Sequence, residues 1–336
     1  MNSNPVTQPA EEWSCIVLAG PTATGKTALA VELAHRLGSE IFSVDSRQVY
    51  RGLDLGTGKD LHEYGRFSSP VPYHLIDIED PAEVYSLFRF QEDCYQALEE
   101  FRGRHGRGTV RGEKDGNGDR CRDETPPVLV GGTGLYLEAV LKKYDIAQVP
   151  EDTALREELT QRDLEALKAE LKARAPDIYE RTDLSTKRRV VRALEIALRA
   201  PSAEIPRSKL PPWNLKPLIF VTQWERSVLR ERIADRLQAR LQAGLVEEVR
   251  RLHEQGLAWE RLDHLGMEYR QIAAYLREEK SYEAMSADLL HEIHLLAKRQ
   301  DTYFRGLDRR GLKVHFIGSE TTASELFQFY QTWKTG

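Results

Sequence analysis

Apolar positions in the first half of the chain follow two periods in turn. Residues 15–19 (CIVLA) form a short unbroken apolar run, as expected of a strand buried on both faces. Residues 28–37 then place Leu29, Leu33 and Leu37 at i, i+4 and i+8, the spacing of one helix face. Residues 40–45 and 73–78 read as a second and third strand. Residues 85–101 read as a helix carrying Leu87, Cys94, Leu98 and Phe101, and 128–130 as a fourth strand closed by Gly131 and Gly132. Residues 218–221 and 314–317 supply a fifth and a sixth. Short strands alternating with helices predict an α/β fold, a mainly parallel sheet flanked by helices on both faces.

Two stretches break this rhythm. Residues 102–125 hold six glycines and twelve charged residues, a composition unable to bury apolar surface, and read as a flexible surface insertion. The rival reading, a basic RNA-binding loop, is weakened because its acidic residues largely offset its arginines. Residues 145–212 are dense in Leu, Glu, Lys and Arg over 151–174, helical again over 186–200, and proline-rich from 201 to 212. They read as an all-helical subdomain inserted into the core. The expected organisation is a first core segment (13–144), the helical insertion (145–212), and a second core segment with C-terminal helices (213–334). No internal repeat is visible.

Composition narrows the class. At roughly 150 residues per domain, 336 residues amount to about two domains. No apolar run approaches the roughly 20 residues of a membrane span, and residues 1–14 lack the cationic start and apolar stretch of a secretory signal. Three cysteines without a Cys-x-x-Cys pair disfavour a disulfide framework and a structural zinc site, and suit the cytoplasm. With a net charge of -5, any contact with nucleic acid must come from a local patch. Residues 181–199 are one: six cations, among them Arg188, Arg189 and Arg192, stand against Asp183 and Glu195 and leave +4.

The sharpest chemical signal is residues 20–27. Gly20, Pro21, Thr22, Ala23, Thr24, Gly25, Lys26 and Thr27 fit G-x-x-x-x-G-K-[ST], directly after the first strand and before the first helix. Glycines let the backbone curl so that N–H groups converge, and the helix adds its positive end. Lys26 supplies a mobile charge, and the Thr27 hydroxyl is suited to Mg²⁺. The motif predicts a P-loop NTPase-like core and a bound di- or triphosphate. Asp45 ends the second strand, at the sheet edge where open α/β folds bind ligands. It is suited to capping a helix, holding Mg²⁺ or acting as a base. Ser46, Arg47 and Gln48 after it offer the donors and acceptors that a nucleobase edge needs.

Taken in order, these blocks resemble a known family. Residues 20–27, 45–59 (DSRQVYRGLDLGTGK), 72–81 (PYHLIDIEDP) and 127–141 (PVLVGGTGLYLEAVL) are similar to sequence blocks of the tRNA dimethylallyltransferases, also called tRNA isopentenyltransferases. So are 188–196 (RRVVRALEI), 244–252 (GLVEEVRRL), 266–276 (GMEYRQIAAYL) and 298–307 (KRQDTYFRGL), and the resemblance runs from about residue 14 to about residue 310. The chain departs from the family pattern in its charged insertion, at GMEYRQ where Gly-Tyr is frequent, and at Tyr303 where Trp is common.

The resemblance implies transfer of a dimethylallyl group from dimethylallyl diphosphate to N6 of the adenosine 3′ of the anticodon, by a monomer that binds the tRNA anticodon loop. It implies that residues 20–27 hold the diphosphate and that Lys26, Thr27 with Mg²⁺, and an arginine stabilise charge on the leaving group. Asp45 would take the N6 proton. Asp45, Ser46, Arg47, Gln48 and Thr133 would meet the target base, and Arg188, Arg189 and Arg192 the tRNA. The arginine is Arg236 by resemblance. On a helix whose core stripe is Leu229, Ile233, Leu237 and Leu241, it flanks that stripe with Arg232; the plainer reading pairs these arginines with Glu231 and Asp235. Three rivals stand beside this reading: a prenyltransferase acting on free adenylate, a small-molecule P-loop kinase using Asp77 as its strand-end carboxylate, and a non-catalytic RNA- or nucleotide-binding protein.

Overall fold

The computed structural model describes residues 11–105, 125–149, 151–199 and 207–335. Among them, six strands form one parallel sheet in the order β3-β2-β4-β1-β5-β6: β1 Glu12–Ala19, β2 Ile41–Ser43, β3 Tyr73–His74, β4 Val128–Gly131, β5 Asn214–Thr222 and β6 Val314–Ile317. The sheet fits the P-loop NTPase-like expectation. The third strand is shorter than the apolar run suggested. Leu75 and Asp77 take φ of 65° and 57°, which breaks extended backbone, and the Asp77 and Ile78 N–H groups turn to the carbonyls of Gln48 and Val49. β5 tolerates Pro217 because β6 pairs only from Ile219 onward. At Pro217 one side of the strand has no ladder to lose.

Helices cover both faces. α1 is Lys26–Leu37, α2 Leu87–His105 and α3 Gly134–Leu141. After the inserted segment begins come α4 Thr153–Gln161, α5 Leu164–Arg174, α6 Pro176–Arg181 and α7 Lys187–Arg199. Then follow α8 Arg226–Gln242, α9 Leu245–Glu254, α10 Trp259–Leu265, α11 Met267–Leu276, α12 Tyr282–Arg305 and α13 Ala323–Thr335. Alternation along β1 sorts the layers. Ile16 and Leu18 pack under α1 and α13, whereas Cys15, Val17 and Ala19 join the larger core built with α2, α3 and α8 to α12.

The flexible insertion expected from residue 102 starts later. Residues 102–105 are the last turn of α2, where Arg104 pairs with Glu40 at 2.7 Å and the His105 ring stacks on Phe101 at 4.2 Å. Its remaining residues 106–124 lie outside the described ones.

The chain divides into two compact units, Tyr144–Leu210 and the remainder. The smaller unit contains α4 to α7 around Leu159, Leu167, Leu171, Val190, Val191 and Leu194. Among the described residues, no helix is long and apolar enough to cross a membrane.

Candidate active site

The chain must reverse between the end of β1 and the start of α1, and residues 20–25 do so around a hollow. A Cβ on Gly20 would lie 2.0 Å from Thr222 Oγ1, and its φ of 147° is one few other residues adopt; glycine is required here. Thr222 donates to Thr24 (2.8 Å) and Thr24 to the Pro21 carbonyl (2.9 Å), which fixes the curl. No side chain caps α1. Its first N–H groups and its positive end are left for an anion. The Lys26 ammonium lies back on the Pro21 carbonyl at 3.1 Å. Burial pushes Lys26 down to about 8, Arg236 nearby adds to this, and Asp45 and Asp60 oppose it.

Lys26 and Thr27 open onto a cleft of about 770 Å³, whose wall also carries Asp45, Ser46, Arg47, Gln48, Thr133 and Arg236. Residues 46–49 form turns and no helix, so Asp45 is not a helix cap. One Asp45 oxygen accepts the Arg47 N–H at 2.9 Å. Thr133, in the turn after β4, accepts the Ser46 N–H at 3.2 Å and so is tied beside Asp45. Gln48 accepts from Ser43 and donates to the Gly58 carbonyl at 3.2 Å, bracing the wall against the following loop. Of the remaining phosphate-loop residues Thr22 lines the cleft, and Gly20, Pro21, Ala23, Thr24 and Gly25 do not.

α8 brings a row of arginines at i, i+4 and i+8. Arg232 donates to the Ala23 carbonyl of the phosphate loop at 3.1 Å and stacks on Trp224. Arg236 pairs with Asp60, not with Glu231 or Asp235. Arg240 is 4.0 Å from the other Asp60 oxygen. Asp60 itself ends a braced loop. The buried Glu248 carboxylate accepts the N–H groups of Asp54, Leu55 and Gly56 (2.7–3.1 Å) and the Tyr269 hydroxyl. Lys59, wholly buried, holds Asp54 at 2.7 Å together with Asp77 and the Tyr50 carbonyl. Asp77 is thereby committed to Lys59 and does not line the cleft, which removes the strand-end carboxylate a kinase would need.

Several cleft residues escaped the sequence reading. Gln300 on α12 accepts the Thr22 N–H at 2.9 Å and donates to the Gly132 carbonyl at 3.0 Å, clipping the phosphate loop to the turn after β4. Glu268 lies in the wall, where burial pushes its carboxyl up while Arg240 and Arg47 pull it down. Arg240 was legible, since it continues the spacing of Arg232 and Arg236. Gln300 and Glu268 carried no local signal beyond the family blocks.

The basic stretch lies on α7, in the helical unit. Arg188 is exposed, and among the described residues it forms no ion pair. Arg189 pairs with Asp183 across an exposed surface. Arg192 is engaged by the buried carboxylate of Glu195 and donates to the Val149 carbonyl at 2.7 Å. Burial alone would raise Glu195. The Asp152 N–H, Arg192 and Arg156 instead hold it below its usual range.

Among the described residues, no group of three or more His, Cys, Asp or Glu is placed to hold a metal ion. A divalent cation would rest on the Thr27 hydroxyl, a carboxylate and phosphate oxygens. That sparse protein share is usual for Mg²⁺, and the residues present fit it.

The IPP transferase family model matches residues 48–112 and 118–307, and an isopentenyl transferase model matches 14–65. A tRNA dimethylallyltransferase of Geotalea uraniireducens is 46% identical, over 90% of this chain and 91% of its own length. One from Syntrophus aciditrophicus is 45% identical, over 90% and 92%. Among solved structures, the tRNA isopentenylpyrophosphate transferase of Bacillus halodurans superposes with a TM-score of 0.64 at 30% identity, covering 96% of each chain. With 46% identity over nine-tenths of the chain, and family models that together match residues 14–112 and 118–307, the chain belongs to the IPP transferase family, that of the tRNA dimethylallyltransferases.

Proposed function

We propose that this chain transfers the dimethylallyl group of dimethylallyl diphosphate to N6 of the adenosine 3′ of the anticodon in tRNA. One observation carries the reading: a phosphate loop with Lys26 and Thr27 opens into the same cleft as the carboxylate of Asp45, so a diphosphate leaving group and a nucleophile's proton acceptor face one cavity.

The diphosphate sits on the loop Gly20 to Thr27 with its charge toward Lys26 and Arg236, and the latter leaves Asp60 for it. As the carbon–oxygen bond breaks, the electron pair goes to the diphosphate, and these cations meet charge where it develops. The N6 lone pair forms the new carbon–nitrogen bond, and its proton passes to Asp45. Mg²⁺, when bound at Thr27, supplies further neutralisation of the diphosphate. Ser46, Arg47, Gln48 and Thr133 hold the base, which must leave its stack to reach a cleft. Arg188, Arg189 and Arg192 serve tRNA binding, with Arg192 acting through the fold of α7. We place the enzyme in the cytoplasm as a monomer; the buried thiols of Cys15 and Cys94, both free, suit a reducing compartment.

The test gives the protein labelled dimethylallyl diphosphate with bulk tRNA, with free AMP, and separately labelled ATP with small acceptors. Label on tRNA adenine is the expected outcome. Label on AMP alone, or phosphoryl transfer from ATP, would replace this reading with a rival.

A further inference from the structure

Arg240 is the least satisfied charge in the cleft. Its side chain is only 15% exposed, and its Nη2 is sealed from solvent without a hydrogen-bond partner among the described residues. No hydrogen bond from any of its nitrogens is formed with the described residues; Asp60 stands 4.0 Å away, too far for one, and Glu268 acts on it only through its charge. Buried polar groups are almost always paired, and a desolvated guanidinium with no acceptor is costly. Burial, and then Arg236 beside it, push Arg240 down to about 10, so it remains a cation at neutral pH.

The fold makes room for this side chain. Gly58, with φ of 61°, turns its bare Cα toward the guanidinium, and a Cβ there would stand 1.6 Å from Arg240 Nη2 and 2.9 Å from Arg236 Nη2. Gly58 is held in place by Gln48, and the loop that carries it by Glu248. Two guanidinia and Lys26 thus share one end of the cleft, with the single charge of Asp60 between the arginines.

We infer that Arg240 is a second guanidinium of the anion site, held unpaired against Gly58 so that, with Arg236, it takes phosphate oxygens of the diphosphate. This rests on the functional reading above for the identity of the anion's owner. The shared chemistry is phosphate, which the prenyl donor and the RNA backbone both carry, and we assign it to the donor because Lys26 and Arg236 of the same cluster adjoin the phosphate loop.

The test uses the full chain and its Arg240→Met, Arg240→Gln and Arg240→Lys variants. Inorganic diphosphate is the probe for direct binding, with KM for dimethylallyl diphosphate and tRNA affinity measured beside it. Arg240→Met should weaken inorganic diphosphate and raise that KM by roughly 10- to 100-fold, the usual worth of hydrogen bonds to a charged group. Tm of the ligand-free protein should rise, since an unpaired buried charge is gone. Arg240→Lys should fall between, keeping charge without the fork. Unchanged diphosphate affinity in the folded Met or Gln variant would overturn the inference, as would a loss confined to tRNA affinity. If the unsubstituted chain binds inorganic diphosphate through Arg240 but labels no tRNA, the functional reading fails and this one stands.

Discussion

The cleft and the helical unit both concentrate arginine, and they treat it in opposite ways. In the helical unit most guanidinia are satisfied from within. Arg156 and Arg192 share the buried Glu195, Arg199 pairs with Asp152, and Arg207 with Asp145. In the cleft, Arg236 and Arg240 both face the carboxylate of Asp60, and among the described residues the Lys26 ammonium hydrogen-bonds to a carbonyl and to no carboxylate. A charge satisfied by folding contributes to stability and has little left for a ligand. One that folding leaves short of partners binds an external anion strongly, because its desolvation has already taken place.

The comparison can be broken in order of expected effect. Asp45→Asn should retain tRNA binding and lose roughly 10²–10⁴ in single-turnover rate, the worth of a positioned base. Near-normal transfer would remove Asp45 from that role. Arg236→Ala should slow the chemical step by about 10²–10³, as when one donor to developing charge is removed. A fall in tRNA affinity alone would contradict it.

The helical unit should respond differently at neighbouring positions of one helix. Arg192→Ala should lower stability by roughly 1–3 kcal/mol, because the buried Glu195 loses a charged partner. The salt dependence of tRNA binding should hardly move. Arg188→Gln with Arg189→Gln should leave Tm nearly unchanged, as exposed charges contribute little. It should flatten the salt dependence by roughly 0.7–0.9 log units per log salt for each RNA phosphate no longer neutralised. Equal salt slopes in the two variants would end the distinction.

The smallest effect is in pH. Lys26 is lowered from 10.5 unfolded to about 8 folded. Between these values the unfolded chain holds the proton and the folded chain does not, so this group's contribution to stability rises with pH across that window. Affinity for inorganic diphosphate should move the other way, falling above about pH 8 as the ammonium is lost. Lys26→Met should flatten both trends, and a pH profile shared by the two proteins would exclude Lys26 as their source.

Much of the core was legible in the sequence because its signals are local. The strand at 15–19, the phosphate loop and α1 follow from adjacent residues and short-range spacing. The 73–78 run misled because its apolar pattern says nothing of Lys59, whose burial pulls Asp77 into a turn. Pro217 hid the first half of β5 because a proline is tolerated only where a neighbour is missing, and that depends on the register of β6. Residues 102–105 looked like loop by composition, yet they end α2, where Glu40 and Phe101 give Arg104 and His105 partners.

By itself the sequence determined where the glycine turn of residues 20–27 lies and that Asp45 follows the next strand, since strand, glycine turn and helix are consecutive. Only the tertiary structure decided which cations folding leaves short of partners. Arg192 and Arg240 look alike along the chain, each four residues after another arginine on a basic amphipathic helix. Glu195 lies on Arg192's own helix and binds it, whereas Asp60 lies 180 residues before Arg240 in the sequence and stays just out of hydrogen-bond reach. Pairing of charges across such separations is set by how elements pack, and no local spacing encodes it.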